Sequence, residues 1–231
     1  MSVSCVSTSF CVIAVSTDTF IWNGSTWTAQ VVDSGTNYFI SLSCGSTSLC
    51  AAVDFEGNAI TWDGSSWSGP TDVDSNNNLD SVSCTSVSFC VAVDQEGNAL
   101  VFDGSTWSAP ESIDPGNDVD SVSCLSATFC MAADYQGNAL IWNGTSWSAP
   151  QFIDPGSTYH KYNDDPDSIS CATATYCVGV DINQTVTWSG SSWSDPASVE
   201  SSGYYLASVS CPSTTFCGAV DFEGNAVTGE G

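Results

Sequence analysis

The phrase Ser-[Val/Leu/Ile]-Ser-Cys-x5-Cys occurs six times, starting at Ser2, Ser41, Ser81, Ser121, Ser168 and Ser208, at intervals of 39, 40, 40, 47 and 40 residues. A fixed period near forty marks a repeat architecture, in which each copy is one supersecondary unit that buries its faces against its neighbours. The copy from Ser81 to Asp120 shows what that unit is. It holds four short runs, Ser81–Cys84, Phe89–Asp94, Asn98–Phe102 and Thr106–Ile113, rich in β-branched and aromatic residues. Gly, Asp, Asn and Pro separate them, as turns separate strands. No window has the 3.6-residue apolar period of a helix. The runs read as strands A to D of one antiparallel sheet, and a four-stranded sheet repeated at this period is the pattern of a β-propeller. The chain is therefore expected to be an all-β propeller of six blades of four antiparallel strands. Its repeats are 2–40, 41–80, 81–120, 121–167, 168–207 and 208–231. The sixth carries runs A and B and the C-like Asn225–Gly231, with no D run, so its blade is expected to be three-stranded. An unpaired outer edge there is a place for self-association.

The spacing within each cysteine pair never varies. The pairs are Cys5 with Cys11, Cys44 with Cys50, Cys84 with Cys90, Cys124 with Cys130, Cys171 with Cys177, and Cys211 with Cys217. The first of each pair lies at the end of strand A and the second at the start of strand B, opposite one another across a tight hairpin. Zinc sites need Cys-x2-4-Cys clusters or histidine partners, and the chain has one His. Six intra-repeat disulfides are expected, each worth up to about 2–2.5 kcal/mol in the chain-entropy model. They imply an oxidising compartment, extracellular or at the cell surface.

Twenty-six acidic residues face one Lys and no Arg, for a net charge of −25. That balance excludes nucleic acid as a partner. No apolar run is long enough for a membrane-spanning helix, and direct membrane insertion is not expected. With 42% hydrophobic and 11% aromatic residues, the chain has the material for a core. Most of the acids fall in the B–C and D–A connections, which share one face of a propeller, and none falls in an A–B hairpin. Many are turn formers. The rest make that face a candidate for Ca2+, which takes oxygen ligands. Asp80, Asp120 and Asp167 each immediately precede strand A and are the candidate ligands, although Ile40 and Ala207 stand at the same place in the second and sixth repeats. No cofactor is required by this reading.

The order L-x-S-V-S, F-C-V-A-V-D-x-x-G-N-A-L, D-G-S-x-W resembles the repeats of photosystem II assembly factor-like propellers and of bacterial neuraminidase Asp-box propellers. The chain departs from both: Asp63-Gly64 and Asp103-Gly104 are adjacent where the Asp-box has a residue between, and there is no arginine patch. A second element spans Trp22–Trp27, Trp62–Trp67, Phe102–Trp107, Trp142–Trp147 and Trp188–Trp193, with the form W-[DN]-G-x-x-W in most copies. It resembles the fucose-binding lectin propellers. The Arg and Glu with which that family holds its sugar are missing from strands B and C here, so the resemblance implies a lectin-like architecture without that site.

Catalysis has no foothold. The single His lies in the long 154–167 connection, the cysteines are committed to disulfides, and the carboxylates sit on turns. A binding module is the reading that remains. Aromatic faces stack on sugars, and the tryptophans that open strand D, Trp27, Trp67, Trp107, Trp147 and Trp193, are the candidate ligand-binding residues. Tyr159 and Tyr162 in the long connection join them, with Tyr204 and Tyr205 in the next D–A connection. The expected function is a secreted, non-catalytic, lectin-like module with a glycan or cell-surface protein as partner. The alternatives are a structural or adhesive domain and a calcium-dependent protein-docking domain.

Overall fold

The computed structural model describes residues 1–32, 38–75, 77–153, 168–181, 184–199 and 206–229. The chain is an all-β propeller of six blades; the first five have four antiparallel strands and the last has three. Two compact units divide it, Met1–Ser112 with blades 1 to 3 and Ile113–Gly231 with blades 4 to 6. No helix among the described residues is long and apolar enough to cross a membrane.

Blade 3 shows the construction. β9 (Leu79–Ser86) pairs with β10 (Phe89–Asp94), β10 with β11 (Asn98–Phe102), and β11 with β12 (Glu111–Ser112). Strand B carries the core: every residue of β10 is buried.

All six expected disulfides are present, and no cysteine is free. Cys5 is bonded to Cys11, Cys44 to Cys50, Cys84 to Cys90, Cys124 to Cys130, Cys171 to Cys177, and Cys211 to Cys217, with Cα atoms 3.9 to 4.2 Å apart. The first five pairs are direct cross-strand partners; the sixth lies where the A–B register of blade 6 shifts. Their place in the strands differs from the expectation in one respect. Strand A does not end at its cysteine: it runs two residues further, to Ser86 in blade 3. Strand B opens one residue before its own cysteine, as the expected run Phe89–Asp94 does, at Phe10 ahead of Cys11, Leu49 ahead of Cys50, Phe129 ahead of Cys130 and Tyr176 ahead of Cys177. The disulfide therefore bridges the ladder inside the hairpin rather than at its mouth. It also faces inward, since Cys50, Cys90, Cys130 and Cys177 are fully buried, while Cys11 on the first blade is half-buried.

Strand D differs from the sequence expectation of Thr106–Ile113. After one bridge at Phe102↔Trp107 the ladder stops, and it resumes only at Glu111–Ser112. Pro110 has no N–H to give to a ladder. Ser108 closes the gap locally: its N–H donates to the Val101 carbonyl at 2.8 Å, and its Oγ accepts from the Val101 N–H at 3.0 Å. Pro70, Pro150 and Pro196 stand at the same place in blades 2, 4 and 5, whose D strands are equally short: Thr71–Asp72, Gln151–Phe152 and Ala197–Ser198. Blade 1 has Gln30 there instead of proline, and its D strand β4 (Trp27–Val31) pairs with β3 (Asp18–Trp22) without a break.

Within each unit the blades are tied through the two serines of the repeated phrase. In the first unit the Leu42 and Cys44 N–H groups of β5 (Phe39–Ser46) donate to Ser2 Oγ and Ser4 Oγ of β1 (Ser2–Ser7), at 3.1 and 2.9 Å. Val82 and Cys84 do the same to Ser41 and Ser43, at 3.1 and 2.9 Å. In the second unit Ile169 and Cys171 donate to Ser121 and Ser123, both at 3.0 Å. Val209 and Cys211 donate to Ser168 and Ser170, at 3.2 and 3.0 Å. A hydroxyl thus takes the place of the ladder carbonyl between neighbouring A strands, and buried N–H groups find partners that the blade itself does not supply.

Candidate functional site

The C–D turn holds its two aromatics together. Asp103 Oδ1 accepts from the Ser105 and Thr106 N–H groups at 2.8 and 2.9 Å and from Ser105 Oγ at 2.7 Å. Those donors pull the exposed Asp103 carboxyl down to about 2, Thr106 first; Asp63 is pulled down to about 2 in the same way, with Ser66 first. Gly104 has φ +97°, a region that favours glycine. The turn brings Trp107 onto Phe102, with ring centroids 5.3 Å apart. The other four pairs lie at 5.5 to 5.8 Å.

The two rings of a pair have different surroundings. Trp62, Trp142 and Trp188 on strand C are buried, and their indole N–H groups donate to the carbonyls of Thr47, Ala127 and Ala174 in the A–B hairpins, at 3.0 to 3.2 Å. Phe102 is buried at the same place without that bond. They are packing residues. On the D side, Trp27 is 45% exposed, while Trp67, Trp107, Trp147 and Trp193 are half-buried. The Nε1 atoms of Trp67, Trp147 and Trp193 are buried without a partner. Their polar edge faces inward, and the surface these rings offer is carbon.

A groove of about 600 Å³ runs along the outer side of blades 2 and 3. Phe102, Trp107 and Val73 give it an apolar wall. Thr61, Ser68, Thr71, Ser105, Thr106 and Ser108 give it hydroxyls, and Asp72 is its one charged lining residue.

The acids of the B–C turns are mostly structural. Asp54, Asp94 and Asp134 are almost fully buried. Asp94 Oδ1 accepts from the Glu96 and Asn98 N–H groups at 3.0 and 2.6 Å, and Oδ2 from Asn98 Nδ2 at 2.6 Å. Asp54, Asp134 and Asp221 repeat this set. The D–A connection packs tightly on this turn, since a Cβ at Gly57 would lie 2.0 Å from the Asp74 carbonyl oxygen.

Two of these buried acids face a second one. Asp74 lies beside Asp94 in the first unit, and Asp114 beside Asp134 in the second. Burial, then the hydrogen bond with Asp94 and its charge, pushes the Asp74 carboxyl up to about 7. Burial and the Asp134 carboxyl push Asp114 up to about 6. Asp74 Oδ2 and Asp114 Oδ2 meet no donor. When protonated, Asp74 and Asp114 can each donate to the neighbouring Asp side chain.

Of the candidate calcium ligands, Asp80 lies on β9 and Asp120 just ahead of β13 (Ser121–Ser126), where its N–H donates to the Ala133 carbonyl at 3.1 Å. They belong to different units, and Asp167 lies outside the described residues. So do Tyr159, Tyr162, Tyr204 and Tyr205. Among the described residues no group of three or more His, Cys, Asp or Glu could hold a metal ion. Sequence reasoning missed the blade-bridging serines, whose signal was the strict Ser-x-Ser of every copy. It also missed the paired carboxyls, which need the spatial neighbour to be seen.

Solved structures share the fold. The RRP9 WD40 repeats have a TM-score of 0.76 at 11% identity, over 95% of this chain and 72% of that chain. For U3-55K the values are 0.77 and 11%, again over 95% and 72%. The β-propeller domain of Myceliophteria thermophila Cps50 (Swd1) has 0.73 and 11%, over 98% and 81%. At such identity the likeness speaks of fold alone. No protein-family model matches the chain, and no curated protein matches it.

Proposed function

We propose that the chain is an extracellular, non-catalytic binding module that takes an uncharged glycan at the outer groove of blades 2 and 3. The observation that carries this reading is the groove itself, which sets the carbon face of Trp107 among serine and threonine hydroxyls. An aromatic face bordered by hydroxyls is what a sugar ring, apolar on one side and polar at its rim, requires. The likeness of the W-[DN]-G-x-x-W element to fucose-binding lectin propellers points the same way. A chain of net charge −25 repels sialylated and uronic glycans. The six disulfides favour an oxidising compartment.

A glycan array probed with the purified protein tests the reading. Neutral glycans should be retained and anionic ones not. Trp107→Ala should weaken retention about ten-fold, and Trp67→Ala, which lies outside the groove, much less, with the circular dichroism spectrum unchanged in both. An array with no neutral glycan retained refutes the proposal.

A further inference from the structure

Part of the wall of the outer groove is not built into a sheet. Val73 lines the groove just past β8 (Thr71–Asp72), where blade 2 ends and the connection to blade 3 begins. It is half-buried and packs on the same core as Trp107. A short set of contacts holds this connection down. The Val73 and Asp74 N–H groups donate to the Gly57 carbonyl at 3.0 and 3.1 Å. Further on, the Gln95 N–H donates to the Asn78 carbonyl at 3.2 Å, and Asn78 Nδ2 to Gln95 Oε1 at 3.0 Å. Between these two points the buried Asp74 carboxyl faces the buried carboxyl of Asp94 at the end of β10.

Two buried carboxyls face to face need a positive charge or a proton to neutralise them. The surroundings supply no positive charge. Asp94 and Asp72 act directly on Asp74, and the turns and the strand packed around it add only Glu56, Glu96 and Asp80. The chain has no Arg, and its one Lys and one His, Lys161 and His160, lie outside the described residues. Asn77 Nδ2 donates to Asp74 Oδ1 at 3.1 Å, and Oδ2 meets no donor. The contact with Asp94 is therefore a hydrogen bond while Asp74 carries a proton and a repulsion when both carboxyls are ionised.

We propose that Asp74 and Asp94 form a proton-operated latch on the outer groove, which in acid holds Val73 in the groove wall and at higher pH lets the connection lift and the site weaken. That the site so regulated takes a glycan rests on the function proposed above. A ligand that needs the wall in place binds the latched state better, so acid should tighten its binding. Burial, and then Asp94, raise the Asp74 carboxyl to about 7, which sets where the latch turns over. The second unit repeats the arrangement: Asp114 is buried beside Asp134, and Gln136 Nε2 donates to Asn117 Oδ1 at 2.6 Å. The sequence also sets Asp33, Asp154 and Glu200 at the corresponding place of the other D–A connections, each after a Val or Ile. The latch thus belongs to the repeat.

Hydrogen exchange, read as protection factors at about pH 5 and about pH 8, tests the latch without any glycan. Protection of the Val73 and Asp74 amides should fall at least about ten-fold at the higher pH, and that of the β10 amides much less. Asp74→Asn, whose amide can donate to Asp94 at either pH, should keep Val73 protected at both. On the glycan array, the unaltered protein should retain neutral glycans about ten-fold better at the lower pH, and Asp74→Asn should retain them equally at both. Equal protection of Val73 at the two pH values, or a fall that Asp74→Asn shares, overturns the latch. Should Asp74→Asn fail to fold, the pH dependence of the unaltered protein decides. Neutral glycans retained equally at both pH values overturn the link between latch and groove. An array empty at both refutes the glycan reading instead, and exchange at Val73 then judges the latch alone.

Discussion

The boundary between blades 2 and 3 and the boundary between blades 5 and 6 use one pattern to different depths. Both have the serine rungs: Cys84 N–H to Ser43 in one, Cys211 N–H to Ser170 in the other. Both have a leucine and a valine from the A-strand side, Leu79 and Val82 against Leu206 and Val209. At the place of Phe102 the second carries Gly229 on β23 (Ala226–Gly229). The inner half of a blade boundary can therefore form without its outer half, and the aromatics are a plug set into a joint that other groups already close.

The largest effect should come from pulling that plug. Phe102→Ala opens in the first unit the space that Gly229 leaves in the second, and should cost about 3–5 kcal/mol in denaturant unfolding. A cost below about 1 kcal/mol would mean the aromatic is dispensable packing and the two boundaries are equivalent. Removing a rung comes next. Ser43→Ala strands the N–H of Cys84, a residue 8% exposed, and should cost about 1–3 kcal/mol. Ser170→Ala should cost the same if the inner halves are alike, and unequal losses would show that the plug also supports the rungs.

The third test uses pH. The folded state holds Asp74 protonated up to about 7, whereas its ordinary value is 3.8. The native protein therefore binds the extra proton between those values. The stability this contributes is complete below about 4 and is lost as pH rises through about 7. Asp63 and Asp103 act in the opposite sense, since pulling their carboxyls down to about 2 adds stability that disappears as pH falls toward that value. The difference in denaturation midpoint between the unaltered protein and Asp74→Asn should thus shrink or reverse across pH 4 to 7, and a flat difference would show that Asp74 and Asp94 share no proton. Calcium should give the smallest change. Blade 3 carries Asp80 ahead of its repeated phrase where blade 6 carries Ala207. If Asp80 contributes to a Ca2+ site, millimolar calcium should stabilise by about 1 kcal/mol, a rise of about 2–4 °C. Asp80→Ala should abolish it, and identical melting in calcium and chelator would leave these acids as solubilising charge.

The period, the strand order and all six cysteine pairs are legible because each depends on local pattern: alternation, turn chemistry and a constant gap. Where the strands end is less so. Thr85 and Ser86 look like turn residues, yet they continue strand A beyond Cys84, because Ser86 pairs back onto Phe89 ahead of Cys90. Thr106–Ile113 has strand-like composition, and only the missing N–H of Pro110 shows why its ladder breaks. The separation of packing tryptophans from half-buried ones follows from which strand each opens or closes, an order that the repeat itself displays. Asp74 beside Asp94 is another matter. Twenty residues separate them in sequence, and only the packing of a D–A connection against the next blade's B–C turn brings them together. Gly229 in the aromatic position of strand C is visible in the sequence, but the packing of Tyr176 and Val180 of another repeat near Val227 of that strand is not.

The prolines three residues after the D-strand tryptophans of blades 2 to 5 bear on association as well. Six near-identical sheets in one chain are templates for one another, and at high concentration each exposed outer strand could recruit its counterpart from another molecule and grow a fibril. Pro70, Pro110, Pro150 and Pro196 take a donor out of that edge. The same residue that shortens the strand makes its edge a poorer template for pairing.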